Sequence, residues 1–373
     1  MMTSTTPNAS RLPRWLPSLR QVTQGLIGLG VAVGLLGWGL PHVVGTTWHE
    51  VFLRLQEIGP GTALRLLALM LLGLWLYTFT LTGSLPGLSH GRALILNVCG
   101  SSVGNLLPGG GAAGVAATYG LCRSWGFSRR DISASVIVTG LWNVLGRLAL
   151  PVVGTAVLLT DTSELPKAVV RGAVIGAAGG LGLLALFVAA IASERVATII
   201  GRGLDGALRH LWRRGQAGRD MGIEELAQDL RGRLNTVIRT GWARMTFGLV
   251  GFFGVYYLLF WLTLSVLGVQ LTFAHTFAAY AVGRLLTTVG ITPGGVGITE
   301  TGTAAVLTGF GANPAAAMAG VVLFSIYIHL LEIPLGAIGW MVWGVSRKHR
   351  PDDDPPALPS PALPSPTEPS PSD

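Results

Sequence analysis

The chain has 373 residues, half of them apolar and only 12% charged, with a formal net charge of +8. Soluble chains carry about twice that charged fraction, so the composition excludes an ordinary water-soluble globular protein and implies an all-α, polytopic integral membrane protein. The positive balance does not signal a nucleic-acid partner, because the arginines fall between apolar runs, where membrane topology puts them.

Residues 1–21 are polar, with Arg11, Arg14 and Arg20, and a first span is expected at Val22–Val44. Its basic start imitates a secretory signal, but the run is too long and lacks a small-x-small cleavage pattern, so it reads as a retained anchor. Thr46 to Gly61 sets Arg54 against Glu50 and Glu57 and reads as a loop. A second span follows at Thr62–Thr82. Ala93–Cys122 is apolar but broken by Leu107-Pro108-Gly109-Gly110-Gly111-Ala112-Ala113-Gly114. That leaves two arms of about 14 residues, each short of the ~20 needed to cross, and a re-entrant hairpin is expected. Ile132–Leu159 is a full span containing Asn143 and Arg147, and Val169–Ala192 is another, with Gly172, Gly176 and Gly180 spaced for close helix packing.

Residues 193–243 form a polar loop in which Ile223, Leu226, Leu230, Leu234, Val237 and Ile238 share one helical face. They predict a helix that caps the membrane domain or lies on the headgroups. Met245–Val269 is a span, and Phe273–Phe310 is a second broken hairpin, interrupted by Thr292-Pro293-Gly294-Gly295-Val296-Gly297-Ile298-Thr299-Glu300. Pro314–Val345 is the last span and carries His329 and Glu332. The membrane domain thus occupies 22–345, and the Pro-, Ser- and acid-rich tail at 346–373 is predicted to be disordered.

The two breaks are related. A step of 185 residues carries Pro108-Gly109-Gly110 onto Pro293-Gly294-Gly295, and also Gly126 onto Gly311, Val136 onto Val321, Arg147 onto Glu332 and Gly154 onto Gly339. This ordered set is an internal duplication, with one repeat at about 62–159 and the other at about 245–345. Positive-inside counting puts both termini, the Arg123 to Arg130 region and the 193–243 loop in the cytoplasm. The hairpins then enter from opposite faces. About six full spans and two re-entrant hairpins in an inverted-topology repeat follow, an architecture that many secondary transporters share.

Non-helical backbone at membrane depth is tolerated only where protein buries it or where it lines a wet cavity. Pro108, Gly109, Gly110, Pro293, Gly294, Gly295 and Gly297 are therefore candidates for a translocation path. Intramembrane charges are candidates too, since each costs a few kcal/mol even on the mildest scale. Arg147 and Glu332, related by the repeat, are placed to pair near the midplane, either as a bundle-holding ion pair or as headgroup ligands. Glu300 opens the return arm of the second hairpin, as a helix cap or as a cationic-headgroup or proton site. Arg284, on the entering arm, suits a lipid phosphate, which guanidinium binds bidentately, or snorkels to the interface. Asn105, Asn143, Tyr119 and His329 read as interhelical hydrogen bonders. No Walker-type phosphate loop is present, the G-x-G-x-x-G spacing at Gly109, Gly111 and Gly114 has no strand before it, and Cys99 and Cys122 read as small buried side chains. No cofactor or metal is expected.

The paired breaks, with Pro293-Gly294-Gly295-Val296-Gly297-Ile298-Thr299-Glu300 reading as P-G-G-x-G-x-x-E, resemble the flippase-like membrane region of lysylphosphatidylglycerol synthases over roughly residues 20–345. The first break lacks the acid, since Val115 stands at the position equivalent to Glu300. The resemblance implies movement of an anionic or aminoacylated phospholipid, or of a polyprenyl lipid, between leaflets of a bacterial inner membrane. It implies no enzyme, because the aminoacyl-transferase domain of the full synthases has no counterpart here. A carrier for a small polar solute or ion stays open as an alternative, as does an accessory subunit of a lipid-modifying enzyme, with a second copy or that enzyme as protein partner.

Overall fold

The computed structural model describes residues 40–106, 110–160, 223–288 and 292–348, with a few further positions between 30 and 38 and between 178 and 185. The N-terminal segment 1–21, most of the expected spans at 22–44 and 169–192, the loop up to residue 222, the tail beyond 348 and two of the break residues, Pro108 and Gly109, lie outside the described residues. Everything described is helix or short connection, and no strand occurs among those residues.

In chain order the helices are α1 (Leu40–Val44), α2 (Trp48–Gln56), α3 (Pro60–Ser84), α4 (His90–Leu106), α5 (Gly110–Ser124), α6 (Arg129–Thr160), α7 (Ile223–Val266), α8 (Phe273–Leu286), α9 (Ile298–Gly309), α10 (Pro314–Ser325) and α11 (Glu332–Lys348). A 3₁₀ turn at Pro293–Gly295 precedes α9, and a π-helical turn at Ile326–Leu330 joins α10 to α11. Four stretches are long and apolar enough to cross a membrane: Pro60–Ser84, Arg129–Thr160, Val237–Val266 and Pro314–Ser346. They match four of the six expected spans. The protein is a membrane protein.

The arms of the two broken regions have 17, 15, 14 and 12 residues. At 1.5 Å per residue they reach roughly 18–26 Å, less than the ~30 Å hydrocarbon core. Each pair folds back on itself through small residues. The Gly110 backbone is packed directly on that of Gly104, and a Cβ on Gly114 would lie 3.1 Å from the Gly100 carbonyl oxygen. In the second pair, a Cβ on Gly283 would lie 2.5 Å from Thr303 Oγ1.

The centre of the bundle is the crossing of α3 and α7. Glycine lets these backbones approach: Gly83 packs on Gly241 and Met245, and a Cβ on Gly248 would lie 2.5 Å from the Thr80 amide nitrogen. Lipid supplies no hydrophobic drive between helices, so close small-residue packing and buried hydrogen bonds hold them; Thr80 Oγ1 donates to the Met245 carbonyl at 3.1 Å. Around this crossing, α4 packs on α11, and α8 packs on α6. The first arm of each hairpin therefore leans on the last span of the other half.

Two expectations change. The stretch from 46 to 61, expected as a loop, contains α2, which packs on α10. Thr47 caps it, Glu50 returns the bond to the Thr47 amide, and the Thr46 hydroxyl also donates to Glu50 at 2.5 Å. These bonds, the Thr46 one foremost, hold the Glu50 carboxyl below its ordinary pKa. The helix expected at 223–238 as a separate cap is instead continuous with the next span, because α7 runs 44 residues without a break.

Candidate functional site: a polar cavity between the two breaks

A cavity of about 800 Å³ lies inside the bundle, walled by α3 to α8, the Pro293 turn and the π-helical turn. Gly110, Gly294, Gly295, Arg147, Arg284 and Glu332 all line it. The structure thus brings six of the expected site residues to one space. It reaches from Cys122 and Ile132, which flank the Arg123 to Arg129 corner, to Arg147 and Arg284 deep in the bundle.

The second break owes its shape to its glycines. Gly294, Gly295 and Gly297 have φ of 62°, 78° and 89°, in the left-handed region where a side chain is strained. The tight turn ends α8 and starts α9 within a dozen residues and leaves Gly294 at the cavity wall, with Asn105 and His329 opposite. Pro293 belongs to that turn.

The charged groups are arranged unequally. Arg284, in the last turn of α8, is only 8% exposed, and its guanidinium lies 5.5 Å from the Tyr280 ring centre and 5.2 Å from that of Phe324. Its Nε and Nη2 atoms, and Nε of Arg147, are buried without a hydrogen-bond partner among the described residues. The Asn97 amide nitrogen, the Thr292 hydroxyl and His329 Nε2 are buried and unpartnered in the same way, and all three residues line the cavity. The wall is therefore rich in unused donors.

Glu332 is the one carboxylate in the lining among the described residues. The expected pairing with Arg147 does not form among the described residues: Glu332 Oε2 accepts from Asn105 Nδ2 at 3.1 Å, and Ser101 and Tyr256 are its other polar neighbours. Asn105 Nδ2 also donates to the His329 carbonyl at 3.4 Å, a backbone acceptor in the π-helical turn. Asn143 Nδ2 donates to the Tyr77 hydroxyl at 2.6 Å, the interhelical role expected of it.

Glu300 and Gly297 stand outside this cavity. Glu300 is 2% exposed, and its Oε2 accepts the Gly297 N–H at 2.5 Å while Oε1 accepts from the Ser325 hydroxyl. Both oxygens serve structure, the first closing the N-terminus of α9. Of the two roles open to this acid, the geometry gives it the cap. Asn97, Thr292 and Tyr256 were not singled out from the sequence, since single polar residues on apolar helices carry no periodic signal.

The sequence model of the family described as "Lysylphosphatidylglycerol synthase TM region" matches residues 25–336. The chain belongs to this family. The match spans both hairpins and stops short of the last turns of α11. No curated protein matches the chain. As a member of the lysylphosphatidylglycerol synthase TM-region family, the protein has a membrane lipid-related function, and the cavity is where such chemistry has donors to offer.

Proposed function

We propose that this protein moves an anionic lipid between the leaflets of its membrane, the headgroup passing through the cavity while the acyl chains stay in the bilayer. The observation that carries the reading is the pair of arginines, Arg147 and Arg284, that line an 800 Å³ space inside a membrane-spanning bundle and keep buried N–H groups without a partner among the described residues. A buried cation without a partner is costly. A phosphate supplies the missing acceptors, and guanidinium matches it with two parallel bonds. The other unused donors around the wall fit the same acceptor-rich headgroup.

Support for transport comes from the 185-residue offset between the breaks and from the reciprocal packing of α4 on α11 and α8 on α6, as an inverted repeat requires. The reading places the protein in a bacterial inner membrane with both termini cytoplasmic, and assigns it no chemical step. Movement then follows the lipid gradient or one coupled to it.

The test is leaflet exchange in liposomes with the purified full chain, using fluorescent phosphatidylglycerol, its lysyl derivative, a polyprenyl phosphate and, as control, phosphatidylcholine. Exchange of at least one anionic lipid is expected. Arg284→Ala should slow it about 10- to 100-fold, the worth of a hydrogen bond to a charged group, while the protein still accumulates in the membrane. Equal rates for wild type, Arg147→Ala and Arg284→Ala would sink the assignment, and exchange of no lipid at all would turn the cavity to a soluble anion.

A further inference from the structure

The helix α2 cannot cross a membrane, since its nine residues rise only roughly 14 Å, less than half of the ~30 Å hydrocarbon core. At 3.6 residues per turn its side chains fall into three arcs. Val51, which is 0% exposed, and Leu55 face the bundle, where α2 packs on α10. Trp48 and Phe52, one turn apart, form the next arc and are 38% and 60% exposed. Glu50 and Glu57 lie on the remaining side, exposed, with Leu53 among them.

Two spans fix the depth of this helix. Arg54 Nη1 donates to the Leu267 carbonyl at 3.3 Å, one residue past the end of the apolar stretch Val237–Val266, and the apolar stretch Pro60–Ser84 begins a few residues after α2 ends. The end of one span and the start of another therefore meet at α2, which puts it at the level of a bilayer surface. Trp48 Nε1 donates to the Gly37 carbonyl at 3.0 Å, so the one polar atom of that side chain is used and its ring offers only apolar surface outward. Trp38, stacked on His42 with ring centres 4.9 Å apart and 72% exposed, stands across a shallow hollow from Trp48. Exposed tryptophan is the side chain that bilayer surfaces collect.

We propose that α2 is an interfacial helix: it lies in the headgroup layer at this end of the bundle, with the Trp48 and Phe52 arc sunk into phospholipid, the acidic side in water and Trp38 alongside. Phospholipid is the occupant of the exposed arc because the arc continues the lipid-facing surface of the spans to which α2 is tied; Leu64, early in α3, is 66% exposed. The contact is apolar and not electrostatic. Arg54 is the only Lys or Arg of α2 and is turned to Leu267, whereas helices drawn to anionic lipid carry basic residues on the polar face. By this contact α2 holds α10 and the end of α7 to one bilayer surface. The placement needs only that the protein spans a membrane, and it holds whether or not a lipid is transported.

The experiment is spin labelling of single cysteines in the full chain in phosphatidylcholine nanodiscs: Phe52→Cys, Glu57→Cys and, as a reference within a span, Val250→Cys, which is at a position 65% exposed on α7. Cys99 and Cys122 are buried, and the unsubstituted protein supplies their background. For each label the collision rate with oxygen, which partitions into lipid, is divided by the rate with a water-soluble nickel chelate. The ratio for Phe52→Cys should exceed that for Glu57→Cys severalfold, on the side of Val250→Cys, and should stay the same when phosphatidylglycerol is added to the nanodiscs. Equal ratios at 52 and 57 overturn the proposal, because α2 then stands in water. A label at 52 shielded from both reagents overturns it as well, since protein then covers the arc. A ratio that rises only with phosphatidylglycerol overturns the apolar contact in favour of an electrostatic one.

Discussion

Arg284 and Glu300 are neighbours on opposite sides of one turn, yet they do different things. Arg284 is held by two aromatic faces, Tyr280 and Phe324, which steady a guanidinium without using its N–H groups. Its Nε and Nη2 are left without a partner among the described residues. Glu300 has spent both oxygens, on the Gly297 amide and the Ser325 hydroxyl. Glu300→Ala leaves both of those donors without their acceptor. It should lower stability by about 1–3 kcal/mol, as for a hydrogen bond lost from a charged group, seen as a lower thermal midpoint in detergent. Exchange by the protein that remains folded should persist. An unchanged midpoint with exchange lost would return Glu300 to the translocation path.

At the scale of elements, each broken hairpin depends on where its chain can do without a side chain. Gly110 meets the Gly104 backbone, whereas Gly111, next to it, has nothing within 4 Å of where a Cβ would stand. Gly110→Ala should therefore cost about 1–3 kcal/mol or more, because backbone cannot move aside as a flexible side chain does. Gly111→Ala should be close to neutral. Membrane accumulation and the thermal midpoint of the two variants check this, and equal behaviour would mean that the arms do not pack as described. The π-helical turn is the other device of this scale. It sets the His329 carbonyl toward Asn105 and brings Glu332 to the cavity wall, and such turns recur at functional sites.

Among the described residues, most of the buried polar atoms without a partner belong to residues that line the large cavity. Two guanidinium groups share it with one carboxylate among the described residues, so the described lining has a net positive character that an anion offsets. Inorganic phosphate or glycerol phosphate, added at 100 times its dissociation constant, should raise stability by about 2.7 kcal/mol through binding the folded state alone. The corresponding rise in thermal midpoint should vanish in the Arg147→Ala, Arg284→Ala double variant, while choline chloride should give none in either protein. A rise that survives in the double variant would move the anion site elsewhere.

Much of this was legible in the amino-acid sequence. Long apolar runs can satisfy their backbone in lipid only as helices, so the class and four described spans followed from composition and length. Proline and glycine at Pro293-Gly294-Gly295 had to break a helix, since one lacks an N–H and the others adopt positive φ. The capping box Thr47-x-x-Glu50 was also readable and would have revealed α2. Pairing was beyond reach. Arg147 and Glu332 correspond by the 185-residue offset, but which group each one faces depends on helix rotation and on Asn105, 227 residues from Glu332. Glu300 could be assigned to a cap only once Ser325 and the Gly297 amide were seen around it. Local chemistry determined where helices run and where they break; only the tertiary packing decided which buried donors were consumed and which were left without a partner beside the cavity.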